Sequence, residues 1–389
     1  MAALDQSVDS GACVERRIRS ALLPKMLDRP DDAGRTAVQL GQRALRMPLV
    51  GVVWAIEHLR EQGAANASFD AGAAVDGLIE RCHADTTPSA MQRPSYFLGD
   101  AGILLTQWKL KREPALADAL YASVESNLRN PAREALWGSP GTLVAALHML
   151  ETTGEGRWHD VFGRGVAILW DEMELMQHSS GGAPVWLWTQ DLYGRRVRYL
   201  GAGHGFAGNM FPVLRGARWL EPAVVRGFEE RAFETLSFAA ERRDGRANWQ
   251  PNFDRAAAGF PPKPLVQDCH GAPGIVCRLA STTHERLREL LVEGGELIWA
   301  AGPLAKPPGL CHGTDGNGYA FLKLYAMTGE SLWLERARAF AMHALRQSEH
   351  ALASLGRRRY SLWTGDLGLA VYVWSCINAD PALPTLDRF

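Results

Sequence analysis

The chain has 389 residues, 47% hydrophobic and 22% charged, with 13 tryptophans and a formal net charge of −1. So much apolar material in a chain this long excludes disorder and asks for two domains or one large closed architecture. The near-zero charge gives no summed pull toward nucleic acid or an anionic membrane face, leaving small molecules, peptides or proteins as partners.

At the N-terminus the apolar residues are broken by Asp5, Asp9, Glu15 and Arg16, with no secretory pattern. No run of 18 apolar residues occurs, so no transmembrane segment is expected and the chain reads as cytoplasmic. The six cysteines (Cys13, Cys82, Cys269, Cys277, Cys311, Cys376) are too few for a disulfide scaffold. A special cysteine here is therefore a metal ligand or a nucleophile.

Next comes "PLVGVVWAIEHL" (48–59), an apolar helical stretch with no clean glycine motif of its own. From there G-x-x-G recurs as "GDAG" (99–102), "GSPG" (138–141), "GFAG" (205–208), "GAPG" (271–274), "GTDG" (313–316) and "GDLG" (365–368), each opening an apolar run. A helix apolar nearly all round and opened by glycine is a buried helix whose start crowds a neighbouring backbone. Segments 226–243, 284–300 and 330–347 alternate with these runs and carry an amphipathic period. Each unit is thus one helical hairpin, and 48–59 makes a seventh. An open solenoid shares this signature, but closing the ring buries the inner helices. The expected fold is all-α, a single α/α toroid over residues 1–389 with about seven inner and seven outer helices. Roughly the first 40 residues read as an outer-helix extension. "PVWLWTQDLYGRRVRYL" (184–200) reads as a hairpin loop and 253–268 as a proline-rich loop.

Chemistry concentrates at three helix starts. "GAGHGFAG" places His204 at one, and an imidazole titrating near pH 7 suits the addition of a thiol across a double bond. A histidine that merely caps its helix is the plainer reading, and the flanking glycines argue against it. "DCHGAPG" and "LCHGTDG" put Cys269 and Cys311 in equivalent places, each followed by a histidine. Inner-helix starts converge on one rim of a toroid, so both thiols can meet His312 or His270. Two thiolates and one imidazole make a zinc set with an open fourth position, the mark of a catalytic site. Ordinary buried cysteines beside cap histidines are the alternative. Asp100, Asp315 and Asp366 lie within glycine motifs, where the helix macrodipole alone favours an acid over a glycosidase pair. Cys277 reads as core, and "GRRRY" (356–360) as a solvated loop.

In combination, "GAGHGFAG", "CHGAPG" and "LCHGTDGNGYAFLKLY", followed by "YSLWTGDLG", resemble the lanthionine synthetase C-like family over residues 90–376. The resemblance implies a double ring of helices, Zn2+ held by Cys269, Cys311 and His312, and His204 as acid/base. One branch of that family cyclises peptides through their own cysteines, and another binds glutathione and adds it to dehydroamino acids in proteins. His270 and Leu265 stand where the cyclases resemble "CYG" with an arginine four residues before the cysteine, which favours the glutathione branch. Lys306 matches a lysine that contacts the tripeptide there, and Arg359 is a looser match to a basic residue. Asp268 replaces a usual tryptophan and reads as solvated at a loop end rather than as a partner of the ligands. The expected activity is zinc-dependent addition of glutathione or a peptide cysteine to a dehydroalanine or dehydrobutyrine residue of a peptide or protein. The alternatives are a lanthipeptide cyclase and a non-catalytic, zinc-containing, glutathione-binding scaffold. A carbohydrate-active toroid stands further off.

Overall fold

Six helices begin directly after the first glycine of a G-x-x-G motif, as a computed structural model of the chain reveals. They are Asp100–Lys111, Ser139–Thr153, Phe206–Arg215, Ala272–Leu279, Thr314–Thr328 and Asp366–Asn378. The structure describes residues 46–66, 69–84, 89, 91–176, 184–254, 264–306 and 308–389. The expected N-terminal extension and most of the proline-rich loop lie outside these residues.

In chain order the helices are α1 (Arg46–Glu61), α2 (Ala71–Val75), α3 (Leu78–Ala84), α4 (Asp100–Lys111), α5 (Pro114–Asn127), α6 (Ser139–Thr153) and α7 (Gly156–Asp171). There follow α8 (Phe206–Arg215), α9 (Pro222–Ala239), α10 (Ala272–Leu279), α11 (Glu285–Ala301), α12 (Thr314–Thr328), α13 (Ser331–Leu355) and α14 (Asp366–Asn378). Neighbours among α1, α4, α6, α8, α10, α12 and α14 touch in that order, and α14 packs back on α1. The inner ring therefore closes, which an open solenoid does not do. Outside it, α5, α7, α9, α11 and α13 each pack on the inner helix before them, and the short α2 and α3 pack on α4. Both rings share one core, in which Trp158, Phe228 and Trp333 are fully buried.

Glycine is required at these helix starts by how each motif meets its own loop. A Cβ on the second glycine would overlap the carbonyl oxygen six residues earlier: Tyr96 for Gly102, Ala135 for Gly141, Ala202 for Gly208, Asp268 for Gly274, Leu310 for Gly316 and Leu362 for Gly368. That glycine also faces the same loop position of the preceding motif, so Gly208 lies against Ala135, Gly274 against Ala202, Gly316 against Asp268 and Gly368 against Leu310. The helix starts consequently sit side by side on one rim. Gly274→Ala is expected to cost about 3 kcal/mol, because backbone atoms cannot step aside. Gly163→Ala in α7 has open space around it and is expected to gain up to about 1 kcal/mol. Urea denaturation of both variants checks the contrast.

Three small antiparallel pairs interrupt the helices: β1 (Glu174–Met176) with β2 (Val185–Leu187), β3 (Gln190–Leu192) with β4 (Arg195–Val197), and β5 (Ala240–Arg243) with β6 (Arg246–Trp249). The hairpin expected in 184–200 is β3–β4, with β2 pairing back to β1. The last pair departs from the sequence reading, which carried an amphipathic helix through residue 243. Asp244 and Gly245, both at positive φ, form the tight turn that ends that helix early. At the opposite mouth of the ring, Leu383 and Leu386 are buried in the core. A cavity of about 210 Å3 there, between the ends of α4 and α6 and Phe389, is remote from the thiols. Among the described residues no helix is long and apolar enough to cross a membrane.

Candidate functional site

Backbone hydrogen bonds string the loops of the rim together. The amide of Gly203 donates to the Cys269 carbonyl (3.2 Å), that of Cys269 to the Cys311 carbonyl (3.0 Å), and that of Cys311 to the Trp363 carbonyl (2.8 Å). The starts of α8, α10, α12 and α14 are thereby in register. A tight turn, closed by reciprocal bonds between Gln267 and His270, presents Cys269. The Sγ atoms of Cys269 and Cys311 and a ring nitrogen of His312 lie within 4.8 Å of one another. His270 is outside this group. Its Nδ1 is buried without a hydrogen-bond partner among the described residues, and burial, with His204 nearby, pushes its pKa down to about 4.

Electrostatics around the thiols suit a cation. The hydrogen bond between the two thiols lowers Cys269 and, together with burial, raises Cys311. Gln267 Nε2 donates to Cys269 Sγ at 3.1 Å, and Lys306 Nζ donates to Gln267 Oε1 at 3.0 Å. Burial, then the charges of Lys306 and Arg359, hold His312 below the usual histidine range, in the neutral form a ligand needs. The charges of Lys306 and the exposed Arg359 are thus felt at His312.

Asp268 corrects the sequence reading. It is 3% exposed and makes two hydrogen bonds to Arg278, at 3.1 and 2.9 Å. Burial raises its carboxyl, with the Arg278 charge working against that rise. The acid beside Cys269 is locked inward, because its partner sits in the second turn of α10. Arg278→Met is expected to cost about 3–5 kcal/mol by stranding the Asp268 charge, and adding Asp268→Leu is expected to recover part of that loss. Equal losses in thermal unfolding of the single and double variants would disprove the coupling.

His204, at the start of α8, meets a residue the sequence reading missed. Its Nδ1 is 2.9 Å from Glu134 Oε2, and Glu134 is 0% exposed. The same carboxylate accepts the backbone N–H groups of Leu136 (2.9 Å) and Trp137 (2.7 Å). An acceptor on Nδ1 puts the imidazole proton there and leaves Nε2 free for chemistry. Only an acid just ahead of "GSPG" hinted at this in the sequence. Two acids of the glycine motifs have partners of their own instead: His83 for Asp100 (2.7 Å), and Ser348 with the Arg359 amide for Asp366. Asp315 is fully buried, and burial raises it well above the carboxylate range. Cys277 is core, as expected.

The family model described as lanthionine synthetase C-like protein matches residues 59–387. LanC-like protein GCL1 of Arabidopsis thaliana is 34% identical over 186 residues, covering 46% of this chain and 40% of the relative. Glutathione S-transferase LANCL1 of Danio rerio is 31% identical over 200 residues, covering 49% of this chain and 45% of that protein. The matched region spans less than half the length of either relative. Among solved structures, nisin cyclase shares the fold with a TM-score of 0.60 at 14% identity, over 89% of this chain and 93% of that one.

Proposed function

The chain belongs to the lanthionine synthetase C-like family, and from that premise we propose that it adds a thiol to a dehydroalanine or dehydrobutyrine residue, forming a thioether. The observation that carries the reading is the meeting of Cys269, Cys311 and His312 within 4.8 Å, on the rim that also holds the His204–Glu134 pair. Zinc–sulfur distances of about 2.3 Å and zinc–nitrogen distances of about 2.0 Å place tetrahedral ligands well inside that span, so the group fits one zinc ion. Bound there, zinc lowers the pKa of a thiol in its fourth position and keeps it as the nucleophilic thiolate.

The protein's own groups supply the rest. Neutral His204 accepts the proton of the incoming thiol at Nε2, with Glu134 stabilising the imidazolium. After sulfur attacks the β-carbon, that proton returns to the α-carbon, so the addition is proton-neutral. Lys306 and Arg359 offer cationic partners to the two carboxylates of glutathione. With His270 and Leu265 in place of the cyclase pattern, they favour glutathione over a cysteine of the same peptide.

The test is a mass measurement on two peptides after incubation with zinc-loaded protein. One carries dehydroalanine alone and is given glutathione; the other also carries a cysteine and is given none. Glutathione adduct on the first is the expected result. Cyclisation of the second alone assigns the cyclase activity instead, and no reaction of either refutes catalysis.

A further inference from the structure

The tip of the β3–β4 hairpin places a phenol on the free nitrogen of His204. Tyr193 and Gly194 join the strands with φ of 55° and 71°, a turn in which asparagine is usual at the first position and tyrosine uncommon. Although 70% exposed, the Tyr193 ring packs edge-on against Trp137 (5.0 Å between centroids) and faces His204 (5.9 Å). Its hydroxyl lies 3.4 Å from Nε2, the nitrogen that Glu134 leaves free. That distance is long for a hydrogen bond, as is common at a site before substrate tightens it. The hairpin is anchored: Leu192 is buried against Ala132 and Trp137, and the Asp191 amide donates to the Pro131 carbonyl at 3.0 Å. One loop, residues 131–137, thus fixes both Glu134 and the tyrosine tip around a single imidazole.

Resting on the thiol-addition reading above, we infer that Tyr193 is a further catalytic residue, the one that hands the proton from His204 to the substrate carbon. A carbon approaching Nε2 along its free edge meets the phenol first. When the thiolate sulfur bonds to the β-carbon, the double-bond electrons move into the enolate. The Tyr193 O–H bond then breaks as the α-carbon–hydrogen bond forms. The phenolate recovers a proton from Nε2–H of the imidazolium, which His204 had taken from the thiol. Both transfers run downhill, since an amide-activated carbon is a weaker acid than a phenol and a phenol a weaker one than imidazolium. Partial burial of the ring against Trp137, followed by the charge of Glu134, raises the Tyr193 phenol, which is protonated at neutral pH even in its ordinary range and so stands ready to donate.

The experiment compares the zinc-loaded full chain with its Tyr193→Phe variant, using glutathione and a dehydroalanine peptide, and reads the rate and the configuration at the new α-carbon. The variant keeps the ring on Trp137, so folding and zinc content are expected to match wild type. Its kcat is expected to fall about 100-fold with KM for glutathione unchanged. Wild type should give one configuration and the variant both, because water replaces a fixed donor. A variant that still gives a single configuration overturns the assignment whatever its rate, while adduct formation by wild type leaves the thiol-addition reading standing. No adduct from wild type refutes that reading and this assignment with it.

Discussion

Cys311→Ala is expected to bind no zinc, against one equivalent per chain for wild type, and to lose thioether formation by well over about 100-fold. In the proposed site its Sγ and that of Cys269 would supply both anionic ligands, and a site reduced to one thiolate and a neutral imidazole cannot neutralise a divalent ion. The loss should therefore exceed the roughly 10- to 100-fold effect of removing a residue that only supports a ligand. The backbone contribution survives the substitution, because the Cys311 amide and carbonyl, not its sulfur, tie the loop to Trp363 and Cys269. Thermal unfolding separates the two roles: the variant should melt with chelated wild type, below the zinc-loaded protein by the binding free energy alone. Zinc retained at one equivalent, measured by elemental analysis, would remove Cys311 from the ligand set.

His204→Ala is expected to lower kcat by about 100- to 10,000-fold while zinc content and glutathione affinity hold. A protein that only bound glutathione would be unmoved by this change, so the variant divides an enzyme from a scaffold. Glu134→Gln should be less severe in rate yet also destabilising. Both carboxylate oxygens accept N–H groups, Oε1 from Trp137 and Oε2 from Leu136 and His204, so either orientation of an amide points its NH2 at a donor. A cost of about 1–3 kcal/mol follows from stranding one buried backbone N–H. Wild-type stability and rate in Glu134→Gln would mean that the carboxylate neither orients the imidazole nor caps its loop.

The inner ring was readable because each of its helices announces itself locally. Glycine at 102, 141, 208, 274, 316 and 368 answers a steric demand from a carbonyl only six residues away, which any window of the sequence contains. The thiols were readable for the same reason, each standing just ahead of such a motif. What escaped depends on pairings distant along the chain. Glu134 meets His204 across 70 residues, and nothing near "NPAREALW" marks its carboxylate as buried. Asp268 looked solvated because a loop acid usually is, whereas its partner is set by the turn of α10 that brings Arg278 under the loop. Histidine choice lay between the two kinds of signal. His270 and His312 follow their cysteines identically, and only the turn at Gln267–His270 directs the first away from the thiols. At β5–β6 the helical period concealed a legible "DG" turn.

The most direct measurement is the initial rate of glutathione addition to a dehydroalanine peptide as zinc is returned to chelator-treated protein. The rate should start near background, rise in proportion to zinc, and level at one equivalent per chain, with Cys269→Ala flat throughout. A rate independent of zinc, or equal in chelated and loaded protein, would contradict thiol activation at Cys269, Cys311 and His312.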